Sequence, residues 1–181
     1  MKKIIPLIAL LCFTAAKAQT LDSTVNGLLQ FIIGEPFTRY SDSVVKIPSG
    51  GSNRPPLYYS YNNFTPQTVN GIPFKSFMVG FDSARNVYHI SLVALYVKRE
   101  GYKKPGKAKE DGRTLLQYIT GLWGREGKYN LLYENGKAKH FSYKWLNNKV
   151  MLRLVIYYSS QSASISIDVS NSGMKWYGEN D

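Results

Sequence analysis

Apolar residues at every second position between Phe141 and Tyr158 constrain this chain more than any other feature. A two-residue period marks a strand with one buried face. Phe141, Tyr143 and Trp145 alternate with Ser142 and Lys144, while Val150, Leu152, Leu154, Ile156 and Tyr158 alternate with Met151, Arg153, Val155 and Tyr157. Asn147-Asn148 joins the two runs, and asparagine tolerates the positive φ of a tight hairpin. A two-residue loop there sets Trp145 opposite Val150, Tyr143 opposite Leu152 and Phe141 opposite Leu154, which gathers the apolar set on one face. Upstream, Asn135-Gly136 marks another hairpin. A three-residue loop with a glycine bulge sets Tyr129 opposite Phe141 and Tyr133 opposite Lys137; a one-residue slip would send the aromatic residues to opposite faces. Ile165, Ile167 and Val169, alternating with Ser164, Ser166 and Asp168, give a fourth strand with a wet outer face.

A sheet with one apolar face needs a cover. Just before it, Leu115, Ile119 and Leu122 fall at helical spacing beside Leu116 and Trp123, with Asp111 as the expected N-cap and Gly124 as the stop. A second amphipathic helix is read over residues 21–33 from Val25, Leu28, Leu29 and Ile32, closed by Gly34 and Pro36. Its run Leu28-Leu-Gln-Phe-Ile-Ile-Gly34 parallels Leu115-Leu-Gln-Tyr-Ile-Thr-Gly121, which suggests a duplication. Strands over 38–47 and 57–64 follow the first helix, separated by a turn region at 48–56. Pro66 and Pro73 then bracket a loop. A clearer hairpin comes next, with Phe77, Val79 and Phe81 facing Tyr88, Ile90 and Leu92.

The expected fold is therefore α+β: two tandem units, each one helix packed on an antiparallel β-meander, forming one continuous or two adjacent sheets. Residues 1–18 read as a signal peptide, 19–97 as the first repeat, 98–111 as a basic linker and 112–181 as the second repeat. Met1-Lys-Lys, the apolar run to Phe13 and Ala16-Lys17-Ala18 are the charged, hydrophobic and small-residue parts of a secretory leader cleaved near Ala18. The product is expected in the periplasm or secreted, with no later membrane span.

The single cysteine, Cys12, lies within that leader. Disulfides, thiolate metal sites and a cysteine nucleophile thus drop out of the remaining chain. Losing Lys2, Lys3 and Lys17 leaves 20 basic residues of 23 against 12 acidic ones, a net charge of +8. Such a chain suits anionic partners, either glycan or lipopolysaccharide or an acidic protein surface, and no nucleic acid is expected. The linker concentrates the charge: six of residues 98–111 are basic, and Lys103, Lys104 and Lys107 are the candidate docking cations.

Sites for chemistry are sparse. His89 and His140 are the two histidines, both in expected strands and without the short spacing of a metal site. No Gly-x-Ser-x-Gly elbow, phosphate loop or clustered carboxylate pair is found, so no catalytic, cofactor or metal residue is assigned. Tyrosine is abundant, with 14 residues. Its stiff ring and polar tip favour interfaces, which makes Tyr58, Tyr59 and Tyr61, and Tyr157 with Met151 and Arg153, the candidate binding positions.

Taken with the Leu28–Gly34 and Leu115–Gly121 helices, the meander through Trp145, Val150–Tyr158 and Ile165–Val169 resembles the β-lactamase inhibitor protein fold, in which tandem helix-plus-sheet units form a secreted inhibitor. That family is stapled by disulfides, which this chain cannot form after its leader. The resemblance implies an exported, non-catalytic binding or inhibitor-like module presenting a sheet face. The alternatives are an envelope-polymer enzyme using Asp168, Glu134 or His140, and a structural part of a surface assembly.

Overall fold

The computed structural model describes residues 27–28, 31–47, 57–61, 64–136 and 138–173; the expected leader and the turn region expected over 48–56 lie outside them. Its elements are β1 (Gly27–Leu28), β2 (Phe31–Ile32), β3 (Val44–Lys46), β4 (Leu57–Tyr61), β5 (Gln67–Val69), β6 (Ile72–Phe74), β7 (Ser76–Phe81), β8 (Val87–Val97), α1 (Lys107–Trp123), β9 (Lys128–Asn135), β10 (Ala138–Leu146), β11 (Val150–Tyr158) and β12 (Ser162–Asn171). Eight strands make one antiparallel sheet in the order β3-β4-β7-β8-β12-β11-β10-β9, with β1-β2 and β5-β6 as separate ribbons. From β8 the chain crosses through α1 to the far edge at β9, then returns strand by strand until β12 closes on β8.

Two tandem helix-plus-sheet units are not what forms. The described residues contain one α-helix and one continuous eight-stranded sheet. Where the first helix was expected, Gly27 pairs with Ile32 and Leu28 with Phe31 as antiparallel strands. Tertiary packing overrides the helical pattern here. Phe31 is fully buried, with its ring 4.7 Å from Tyr40, 5.1 Å from Phe77 and 5.6 Å from Tyr61. Gly34, at φ +91, turns the chain so that its amide reaches the Val87 carbonyl at 2.7 Å. The strand expected over 38–47 shrinks to β3, preceded by 3-10 turns at Phe37–Arg39 and Ser41–Ser43. Between Pro66 and Pro73, Asn70 and Gly71 at positive φ close the β5-β6 ribbon, a turn chemistry suited to a two-residue hairpin.

The second-half meander forms with its face as read and its turns displaced. Trp145 pairs with Leu152, Tyr143 with Leu154 and Phe141 with Ile156. The turn is thus centred one residue later than Asn147-Asn148, with the Asn147 side-chain oxygen accepting from the amides of Lys149 and Val150. A register shift of two leaves every side chain on the same face. The glycine bulge expected at the Asn135-Gly136 turn is not what forms: Ala138 pairs with Asn135 and His140 with Tyr133, and a register shift falls between His140 and Phe141, so that Tyr129 meets Tyr143 and Leu131 meets Phe141. In the first hairpin a bulge at Gly80/Phe81 makes Val87 the partner of Phe81. Val87 is buried there, and Tyr88 is only partly buried.

Leu115 and Ile119 of α1 are completely buried, and the helix packs on β11 and β12. The approach is close: a Cβ on Gly112 would lie 2.7 Å from Ile156 Cδ1. Gly124 ends the helix at φ +64, as read. Asp111 does not cap it. The helix starts at Lys107 behind Gly106, inside the expected linker, and Asp111 sits buried in its second turn.

Candidate functional site

Two regions of the molecule gather polar side chains. The first lies on the sheet face opposite α1, where Asp168, Ser170, His89, Ser91, Arg153, Ser142 and Met151 are all buried. The outer face of β12 is therefore dry at its centre, contrary to the alternation, which reports which side a residue faces but not whether that side is covered. Strand register sets Asp168 between Arg153 on β11 and Ser91 on β8. Ser91 donates to Asp168 Oδ1 at 2.5 Å, Ser166 donates to Oδ2 at 3.0 Å, and His89 Nε2 lies 3.6 Å from Oδ1. Arg153 Nη2 donates to the Ser142 hydroxyl at 3.3 Å.

A serine, a histidine and an aspartate thus meet, but in the wrong order for acyl transfer. In a relay the hydroxyl gives its proton to the imidazole and the carboxylate orients that ring. Here both serine hydroxyls give their protons to the carboxylate, the reverse of the order a relay requires. The arrangement is that of a buried polar network that joins β12 to the adjacent strand β8. His140, also named for the enzyme alternative, faces Tyr157 at 6.0 Å between ring centres. Burial, then the Arg153 charge, hold its pKa below the usual imidazole range. Glu134 is ion-paired with Lys139 at 3.4 Å on the exposed β9-β10 hairpin. Among the described residues no group of three histidine, cysteine, aspartate or glutamate side chains could hold a metal ion, and no helix is long and apolar enough to cross a membrane.

The candidate tyrosines and their neighbours divide. Tyr59, Met151 and Arg153 are buried and cannot present a surface. Tyr61 packs on the aromatic core against Phe31 and Phe77. Tyr58 and Tyr157 are partly exposed, and the Tyr58 hydroxyl is 2.9 Å from that of Tyr88, which burial and this hydrogen bond push above the usual phenol range. Gly80 sits beneath the pair, where a Cβ would come within 2.7 Å of the Tyr88 ring.

The second region is the expected linker, which is not a loose connection. The Val97 amide donates to the Lys103 carbonyl at 3.1 Å, and Tyr96 and Lys103 form a parallel bridge. Asp111, reaching back from α1, accepts from Lys103 Nζ at 2.7 Å and from the Tyr96 hydroxyl at 2.9 Å. Burial and that carboxylate push the Tyr96 pKa well above its ordinary value. On the other side Lys75 donates to the Gly101 carbonyl and lies 4.4 Å from the centre of the Tyr102 ring. Gly101, at φ +76, allows the reversal between these anchors.

Pinned in this way, the loop forms one wall of a cavity of about 950 Å³ whose lining includes Lys98, Arg99, Glu100, Tyr102, Lys104 and, from the β11-β12 turn, Ser160. The docking cations named from sequence separate accordingly. Lys104 lines the cavity. Lys103 is occupied by Asp111, and Lys107 is paired with Glu110 at 2.6 Å on the helix surface. Lys98 and Arg99 take their place, two residues whose basic character was legible but whose convergence with Lys104 depends on the turn at Gly101. The lining carries three cationic side chains against one acid. The amides of Lys107 and Ala108 are satisfied by the carbonyls of Lys104 and Pro105, so recognition there falls to side chains.

Comparison of the chain with protein-family models, curated proteins and solved structures finds no match. One of the two helices on which the sequence resemblance rested is the β1-β2 strand pair.

Proposed function

We propose that this chain is an exported, non-catalytic binding module that takes an anionic glycan segment in the cavity beside the Lys98–Gly106 loop. The observation that carries the reading is the convergence of Lys98, Arg99 and Lys104 beside the Tyr102 ring, in a loop already held by Asp111 and Lys75. A cavity of about 950 Å³ suits a ligand of a few sugar rings rather than a bare inorganic ion. Cations supply attraction for carboxylate or sulfate groups, and a tyrosine ring offers an apolar platform for a sugar face. A loop anchored in advance loses little conformational freedom on binding. The protein-partner reading loses support because Tyr59, Met151 and Arg153 are buried.

The test is affinity for a sulfated or uronate-rich oligosaccharide. The combined variant Lys98→Glu, Arg99→Glu and Lys104→Glu is expected to weaken it by at least about tenfold, through charge at the site. The combined variant Lys107→Glu, Lys109→Glu and Lys149→Glu, which makes the same change in net charge at exposed residues outside the lining, is expected to bind within about twofold of the parent. Equal losses in both variants would reduce the interaction to bulk charge and remove the cavity from the account.

A further inference from the structure

We propose that a second copy of this chain pairs antiparallel with β9, joining two eight-stranded sheets across a two-fold axis. The two edges of the sheet differ. β3 is three residues long, whereas β9 runs eight residues, Lys128–Asn135, contains no proline and pairs only with β10 among the described residues. An edge of that length exposes a row of backbone donors and acceptors, and proteins that remain monomeric usually blunt such an edge with short strands, proline or charge. Here charge is confined to the two ends, at Lys128 and Glu134, and the exposed large apolar side chains between them are Tyr129, Leu131 and Tyr133, each between 45% and 49% accessible.

The occupant follows from the order of residues along β9. A two-fold interface is isologous, so the strand must complement itself when reversed. Lys-Tyr-Asn-Leu-Leu-Tyr-Glu-Asn meets this condition, with a basic first end, an acidic and amide last end and leucines at the centre. Parallel pairing in register would set Lys128 on Lys128 and Glu134 on Glu134, which like-charge repulsion disfavours. Antiparallel pairing brings Lys128 to the Glu134-Asn135 end of the other copy. The bulge beside Leu132 fixes the faces, since Tyr129, Leu131 and Glu134 meet Tyr143, Phe141 and Lys139, which share one side of β10. On that side Tyr129 of each copy can then donate to Glu134 of the other, with Leu131 near the axis.

Sedimentation of the full exported chain as a function of concentration tests this. A monomer–dimer equilibrium is expected. Leu131→Lys places like charges at the axis and is expected to weaken the dimer on the order of tenfold or more. The control Leu95→Lys alters a residue of similar exposure, 42%, on the interior strand β8 and is expected to leave the equilibrium unchanged. Circular dichroism of both variants establishes that they are folded. A parent chain that stays monomeric at every concentration tested, or a dimer equally sensitive to both substitutions, would overturn the proposal.

Discussion

Asp168→Ala is expected to lower the free energy of unfolding by about 3–5 kcal/mol, the range for removing one partner from a buried charged network. The carboxylate is 5% exposed and accepts from Ser91 and Ser166 while His89 approaches to 3.6 Å. Its removal leaves the buried Ser91 hydroxyl and the half-buried Ser166 hydroxyl without their acceptor, and a buried donor without an acceptor costs its desolvation. Because these contacts join β12 to β8, the loss falls at the centre of the sheet. Asp168→Asn keeps one carbonyl oxygen and should lose less than the alanine variant. Urea denaturation followed by far-ultraviolet circular dichroism gives both values. A loss below about 1 kcal/mol for the alanine variant would mean that the network is not holding the strands together.

Trp145→Ala is expected to cost a similar 3–5 kcal/mol, for a different reason. The side chain is 1% exposed, faces the α1 side of the sheet beside Leu152, and donates its indole N–H to the Arg125 carbonyl at 3.1 Å. Gly127 lies against the ring, where a Cβ would come within 2.7 Å of Cε2 and Cζ2. Truncation opens a large cavity at the point where the chain leaves α1 and enters β9, and it orphans the carbonyl that aimed the segment. Trp145→Phe retains most of the buried area and should recover more than half of the loss. Gly127→Ala should also destabilise, since a buried indole cannot retreat without opening a gap elsewhere. The same denaturation series measures all three, and a tolerant Gly127→Ala with a silent Trp145→Ala would show that the helix exit is not packed as described.

These two residues also show where the sequence was informative. Trp145 was placed on the core face by alternation alone, and a turn misplaced by one residue did no harm because strand faces repeat every two positions. Asp168 was placed on the correct face and given the wrong environment, because a polar residue opposite a core position carries no mark of whether that face is covered. The same ambiguity took in Met151, Arg153 and Tyr59, all read as candidate surface. Leu28–Gly34 failed differently: five apolar residues among seven satisfy a helical stripe as readily as a short hairpin. The choice was made by aromatic partners at positions 40, 61 and 77, which no local pattern contains. Asn70-Gly71 was a local signal that the surrounding prolines obscured.

For the candidate site, composition located the basic stretch but could not sort its cations. Lys103 and Lys107 look equivalent to Lys98 and Lys104 in sequence, and Asp111 resembles a helix cap. Their roles separate only when α1 begins four residues before Asp111, which turns that carboxylate back toward Tyr96 and Lys103 and away from the helix end. Two of the strip's cations are then taken up by acids, and the remaining three on the loop face a common space.

The most direct test of this account is amide chemical-shift mapping of residues 19–181 during titration with a defined sulfated oligosaccharide. The account predicts saturable shifts concentrated at Val97–Gly106 and at Ser159 and Ser160, with β4 and β11 unmoved. Shifts centred on Tyr58–Tyr61 and Met151–Tyr157, or diffuse shifts at exposed lysines that never saturate, would contradict it.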